Sequence, residues 1–178
     1  KRMEKGYIQV YTGDGKGKTT AALGLAFRAI GGGFKVIMIQ FLKGRDTGEL
    51  HSIEYVRPHF EIYRFCQCKE FFWHLSDIER NELKDDMQRG LAFIKNILEN
   101  NMCDLLILDE IIGAVNNGLL QESTLCHLLD QKPQGMEVVI TGRDVPKLLA
   151  KKADLITEMK QVKHYMNKGV KARKGIEY

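Results

Sequence analysis

Apolar and polar positions along the chain change period several times. Short runs with strand character, Tyr7–Thr12, Lys35–Phe41, Glu61–Phe65, Leu105–Asp109, Val138–Thr141 and Asp154–Glu158, alternate with segments in which apolar residues return every three or four positions. Most of these runs are nearly continuous in apolar residues, as a sheet covered on both faces requires. The alternation predicts an α/β domain with a mostly parallel sheet of about six strands. A helix rich in Ala and Leu is expected over Lys18–Ile30, ending at Gly31-Gly32-Gly33, where glycine accepts the left-handed conformation that stops a helix. Ser76-Asp77-Ile78-Glu79 has the spacing of a capping box. The helix it opens carries Leu83, Met87, Leu91, Ile94 and Leu98 on one face and Glu82, Lys84, Asp85, Gln88 and Lys95 on the other, running to about Glu99. Two shorter helices are expected after Glu122 and Asp144, and the least regular region runs from Leu42 to about His74.

Composition narrows the class without naming a chemistry. The 178 residues are 44% hydrophobic and 28% charged, with 17 Gly, 3 Pro and a formal net charge of +4. That is enough chain for one domain with a full core, expected to span residues 1–178, because no repeat or Pro/Gly/Ser linker divides it. No apolar run approaches the roughly 18 residues of a membrane span. Lys1 to Gly6 is basic but lacks the apolar core of an export signal, so a cytoplasmic location is expected. Cys66, Cys68, Cys103 and Cys126 lack the density of a disulfide framework and read as reduced thiols. Zinc at Cys66-x-Cys68 is disfavoured, since the spacing is one residue short of the usual pair. The charge is too small to imply nucleic acid. The basic residues near the end, among them Lys160, Lys163, Lys168, Lys171, Arg173 and Lys174, fit either a solvated tail or an anionic-ligand surface.

The strongest chemical signal follows the first strand. Gly13-Asp14-Gly15-Lys16-Gly17-Lys18-Thr19-Thr20 precedes the Ala/Leu-rich helix, which is the setting of a phosphate-binding loop. Phosphates need many N–H donors at close range, and Gly13, Gly15 and Gly17 let the backbone curl around them. Lys18 adds a point charge, the helix N-terminus adds free N–H groups, and Thr19 offers a hydroxyl to Mg²⁺. Thr12 stands where the strict pattern has Gly, so the loop is a variant. A second element answers it, for Leu105-Leu106-Ile107-Leu108 delivers Asp109-Glu110 at the exit of a buried strand, the end at which open α/β sheets bind ligands. Glu110 is also placed to act as the base of an ATPase. These elements point to a nucleoside triphosphate and Mg²⁺ but leave the reaction open among ATPases, kinases and transferases. A guanine-reading Asn-Lys-x-Asp is absent, which disfavours a GTPase.

Further segments recur in order: Gln40-Phe41-Leu42-Lys43-Gly44, Leu108-Asp109-Glu110-Ile111, Thr141-Gly142-Arg143, Ala153 to Met159, Val162-Lys163-His164, Gly169-Val170-Lys171-Ala172 and Gly175-Ile176-Glu177-Tyr178. With the loop Gly13 to Ala22 they resemble the P-loop type of ATP:cob(I)alamin (corrinoid) adenosyltransferases, over nearly the whole chain from Tyr7 to Tyr178. The resemblance implies a three-layer, RecA-like P-loop fold. It implies that a Co(I) corrinoid attacks C5′ of ATP, forming a carbon–cobalt bond and expelling inorganic triphosphate, with the nucleotide reversed relative to other P-loop enzymes. Gly13 to Thr20 would then hold the leaving group, Lys18 would neutralise it, and Thr19 with Glu110, through Asp109, would position Mg²⁺. The family's Phe-x-Trp pair, which packs on the lower corrin face, falls on Phe71 and Trp73, with His74 in place of an expected acidic residue. A ligating role for His74 would oppose the pair's purpose, a four-coordinate cobalt. Lys163, His164 and Lys168 are candidates for contact with corrin or triphosphate. The resemblance further implies a homodimer in the cytoplasm and a flavoprotein reductant, with no nucleic-acid or membrane partner. Relatives carry an N-terminal segment that covers a neighbour's active site, whereas six residues precede the first strand here, implying either a more open site or a trimmed chain. The rival readings are a P-loop ATPase or kinase and a RecA-like module acting on nucleic acid.

Overall fold

The computed structural model describes residues 3–68 and 72–178, apart from the side chain of Trp73. Phe71 therefore lies outside the described residues. In chain order the elements are β1 (Ile8–Thr12), α1 (Lys18–Gly31), β2 (Val36–Phe41), α2 (Gly48–Ser52), β3 (Phe60–Phe65), α3 (Asp77–Glu99), β4 (Leu105–Asp109), α4 (Ile111–Asn116), α5 (Glu122–Asp130), β5 (Glu137–Thr141), α6 (Lys147–Lys152) and β6 (Leu155–Glu158). Short 3₁₀ turns occupy Ile53–Tyr55, Phe72–His74 and Tyr165–Lys168.

All pairings in the six-stranded sheet are parallel, in the order β3-β2-β4-β5-β1-β6. The connection from β1 to β2 passes over β5 and β4, so the C-terminal ends of β1, β4 and β2 open toward one crevice. Side chains alternate between two cores, as the pleat requires. Ile37, Ile39, Phe41, Leu106, Leu108, Val138 and Ile140 face a layer built from α3, α4 and α5. Val36, Met38, Leu105, Ile107 and Val139 face α1, which presents Ala22 and Ala26. Two helical layers around one sheet give the three-layer architecture expected from the sequence.

The strand forecasts agree with the structure to within one residue at each end, and the capping box forms as its spacing requires. Ser76 Oγ accepts from the Glu79 N–H, and the Glu79 carboxylate accepts from the Ser76 N–H at 2.7 Å, which holds the Glu79 carboxyl below its usual range. Ser76→Ala removes this cap from a helix whose inner face supplies Met87 and Ile94 to the core. It should lower the midpoint of thermal unfolding by about 2–4 °C, measured by circular dichroism.

Two differences from the sequence reading have clear physical causes. The helix α4 is too short to show a period, and it starts directly from the turn at Glu110, so the pattern of apolar residues merges with that of β4. The strand β6 reads as a covered strand, yet all four of its residues are exposed, with Leu155 44% and Ile156 45% accessible. Among the described residues it pairs with β1 alone, as the edge strand of the sheet.

Candidate nucleotide and metal site

The loop between β1 and α1 is held in place by the chain that follows β6. Met159 donates its N–H to Thr12 O and accepts from the Gly15 N–H, both at 2.8 Å. This contact is close enough to require glycine: at Gly13, φ is +103°, and a Cβ would lie 2.3 Å from Met159 O. Asp14 and Lys16 are exposed, so what they bring to the loop is backbone, whereas Gly15 is buried. Lys18 turns back over the loop, its ammonium donating to Gly13 O at 2.7 Å and Gly15 O at 2.9 Å. Burial, then the charge of Arg143, pulls the Lys18 ammonium below its ordinary pKa, against the opposing pull of Glu110, Asp14 and Asp109. A bound anion would reverse that balance, since it favours the charged form.

Asp109 is the centre of the arrangement. It is fully buried at the end of β4, and Oδ1 accepts from Thr19 Oγ1 at 2.9 Å and from Thr141 Oγ1 at 2.7 Å. Thr141 ends β5, the strand lying between β1 and β4, and its Oγ1 also accepts from the Glu110 N–H at 2.9 Å. The sheet order thus ties the two acidic positions and the helix threonine together through a residue that the sequence reading left without a role. The other oxygen, Oδ2, accepts from Lys43 Nζ at 2.5 Å.

Glu110 adopts the left-handed conformation, with φ 62°, which turns the chain sharply from β4 into α4. Its carboxyl is pushed above the usual range, first by burial and then by the Asp109 charge, while Lys43, Lys18 and Arg143 pull it down. A turn this tight needs room just beyond β5: at Gly142, φ is +146°, and a Cβ would lie 2.5 Å from that of Ile112. The left-handed turn at Glu110 thus sits beside the buried Asp109 at the mouth of the crevice.

Several side chains at or near the crevice had no role assigned from sequence. Gln40 comes from the end of β2, Lys43 from the turn two residues beyond it, Arg64 from β3, and Arg143 from the turn after β5. Gln40 is a fully buried polar residue in an otherwise apolar strand. Its Nε2 donates to Glu49 Oε1 at 2.8 Å, and its Oε1 accepts from Arg64 Nε at 2.9 Å. The available signal was this polar interruption at the C-terminal end of a strand, followed three residues later by a lysine.

Next to Thr19 and Thr20, a cavity of about 790 Å³ runs along the outer face of α1, with Leu23, Phe27 and Tyr55 among its walls. The tail closes one side, because Gly175 to Tyr178 line the same cavity. Within the tail, Glu177 accepts from Arg173 and from the Tyr165 hydroxyl, and Arg173 is the first cause of the Glu177 pKa falling to about 2. Lys163 and Lys168 are exposed, and His164 Nδ1 accepts from the Met166 N–H at 3.0 Å. Cys66, Cys68, Cys103 and Cys126 form no disulfide among the described residues, and burial pushes both Cys66 and Cys103 up to about 12. Among the described residues no group of three or more His, Cys, Asp and Glu gathers around a common point, and no helix is long and apolar enough to cross a membrane.

Residues 4–178 match the model of the family described as ATP:corrinoid adenosyltransferase BtuR/CobO/CobP. The corrinoid adenosyltransferase of Escherichia coli K12 is 36% identical over 177 residues, covering 98% of this chain and 87% of that protein. The corrinoid adenosyltransferase CobA of Salmonella typhimurium is 35% identical over 178 residues, covering 98% and 87%. The same fold occurs in a KaiC-like protein from Pyrococcus horikoshii, at a TM-score of 0.56 and 18% identity over 91% of this chain and 76% of that one. The flagellar accessory protein FlaH of Methanocaldococcus jannaschii likewise gives 0.56, at 10% identity over 88% and 72%. These two likenesses concern the fold alone. The chain belongs to the ATP:corrinoid adenosyltransferase family and is an enzyme whose substrates are ATP and a corrinoid.

Proposed function

We propose that residues 1–178 form one catalytic domain that moves the 5′-deoxyadenosyl group of ATP to Co(I) of the corrinoid and releases inorganic triphosphate. The cobalt supplies the electron pair of the new carbon–cobalt bond. The C5′–oxygen bond breaks, and its pair leaves on the triphosphate. Co(I) is already a strong nucleophile, so no side chain is needed to generate one. The work left to the protein is alignment of C5′ with cobalt and stabilisation of charge on the departing oxygens. The observation that carries this reading is the setting of the loop: Gly13 to Gly17 lead directly into the N-terminus of α1 with Thr19 and Thr20, Lys18 folds back over Gly13 O and Gly15 O, and Thr19 meets the buried Asp109.

In this reading Gly13, Asp14, Gly15, Lys16, Gly17, Lys18, Thr19 and Thr20 hold the triphosphate. Thr19 and Asp109, with Glu110 beside them, hold Mg²⁺. The donor set fits that ion, because Thr19 Oγ1 lies 2.9 Å from Asp109 Oδ1, and Thr19 Oγ1 with Asp109 Oδ2 already accepts a cation, the Lys43 ammonium. When bound, Mg²⁺ supplies positive charge to the leaving group. The raised pKa of Glu110 suits an acid that sits beside anionic oxygens, and no proton transfer is assigned to it.

Phe71 and Trp73 are assigned to the lower corrin face from the family resemblance. Trp73→Ala should reduce the four-coordinate Co(II) signal, read by electron paramagnetic resonance with ATP present, by about tenfold or more, and leave ATP affinity within about twofold. An unchanged cobalt spectrum would remove that assignment. A homodimer, a cytoplasmic location and a flavoprotein reductant complete the proposal.

The deciding experiment is an anaerobic assay with chemically reduced corrinoid and Mg–ATP. An adenosylated corrin with stoichiometric triphosphate is the expected outcome. ADP or phosphate without a corrin product would instead place the chain among hydrolases or kinases.

A further inference from the structure

One positive charge in the crevice is not accounted for by binding phosphate. Lys43 leaves the end of β2, and its Nζ lies 2.5 Å from Asp109 Oδ2, 3.3 Å from Thr19 Oγ1 and 3.9 Å from Glu49 Oε1. The first two atoms belong to the residues assigned above to the divalent ion. An ammonium and a divalent ion cannot both hold them, since each needs the same lone pairs and the two cations repel at this range.

The surroundings keep the lysine there without burying it. Its side chain retains 25% exposure, while the Asp109 side chain has none. Gln40 Nε2 holds Glu49 Oε1 at 2.8 Å and reaches Asp109 Oδ2 at 3.5 Å, and Arg64 Nε holds Gln40 Oε1 at 2.9 Å. Arg64 also donates to Thr47 Oγ1 at 2.6 Å, so the platform beneath Lys43 is tied to the segment leading into α2. Asp109 is a buried carboxylate that needs a counter-charge, and a lysine on a flexible four-carbon stem supplies one that is able to move.

We propose that Lys43 is a tethered counter-cation that competes with the divalent ion for Asp109 and Thr19. In the nucleotide-free protein it neutralises Asp109 and keeps free metal out. When metal arrives with triphosphate, the lysine gives up Asp109 and pairs with the incoming anionic oxygens. Metal alone has to displace the ammonium into solvent, whereas metal with triphosphate offers it a new partner. Lys43 therefore makes metal entry conditional on nucleotide entry, so that the acid pair is not occupied unproductively. This rests on the reading in which Thr19 and Asp109 hold the metal.

The test uses Mn²⁺ as the probe, with free Mn²⁺ counted by electron paramagnetic resonance in the full chain. Without nucleotide, Lys43→Met should bind Mn²⁺ about tenfold tighter than the unmodified protein, because the competing state is gone. Lys43→Gln, neutral but able to hydrogen-bond, should do the same, and Lys43→Arg should stay near the unmodified value. With inorganic tripolyphosphate present the order should reverse, Lys43→Met binding the metal–triphosphate complex several-fold more weakly. Thermal unfolding supplies a second readout: added Mn²⁺ should raise the midpoint of Lys43→Met more than that of the unmodified protein. A gain in metal affinity separates this role from a structural one, since a damaged site loses ligands. Unchanged or weaker Mn²⁺ binding by both neutral variants, with binding abolished in Asp109→Asn, overturns the role of Lys43. Binding that survives Asp109→Asn removes the metal assignment itself, and the proposal with it.

Discussion

Lys18→Ala is expected to lower kcat/KM for adenosyl transfer by about 10²–10³-fold, the range found when one charged or oriented donor is taken from a developing anion. The size follows from where the ammonium sits. It bridges Gly13 O and Gly15 O, directly over the loop assigned to the triphosphate, where its charge would offset that of the leaving group. Its removal also loosens the loop, because two backbone carbonyls lose their donor, and both consequences act in the same direction. The measurement is the steady-state rate with chemically reduced corrinoid over a range of Mg–ATP concentrations. A rise in KM with kcat intact would mean that Lys18 binds substrate and transition state equally. Corrinoid affinity should change little, which separates a triphosphate defect from general misfolding.

Gly13→Ala is expected to disable the site by a different route. The positive φ alone costs about 1–3 kcal/mol for a residue with a side chain. The larger effect is that the new methyl group would meet Met159 backbone on the β6 side, 2.3 Å from O and 2.8 Å from N, where no side-chain rotation gives relief. The loop has to lift away from β6, which breaks the Gly15–Met159 hydrogen bond and spreads the N–H donors. Affinity for Mg–ATP, measured by titration calorimetry, should fall at least about 10²-fold, since several convergent donors are lost together. A control lies in the helix that follows. A Cβ at Gly24 meets nothing within 4 Å, so Gly24→Ala should stabilise the protein by about 0.5–1 kcal/mol with ATP binding unchanged. Equal behaviour of the two variants would show that the loop does not depend on its contact with Met159.

Much of the site was legible because its signals are local. A Gly-rich segment between an apolar strand and a helix, and an acid pair at the exit of a four-residue apolar run, are each read from fewer than about a dozen neighbouring residues. Lys43 had no such context. It lies 24 residues from Thr19 and 66 from Asp109, so its meaning depends on β2 lying beside β4, which hydrophobic periodicity does not encode. Thr141 is a similar case, ordinary as a strand-end threonine until β5 is placed between β1 and β4.

The pattern along the chain was sufficient for the six strands, the long capped helix, the phosphate loop and the Asp109-Glu110 turn, because each rests on propensity, capping or turn chemistry among near neighbours. The strand order, the uncovered state of β6, the packing of the tail beside Thr19 and Thr20, and the seating of Lys43 on Asp109 belong to the tertiary structure. Those depend on which apolar faces meet and on the charge that a buried carboxylate requires from a distant part of the chain.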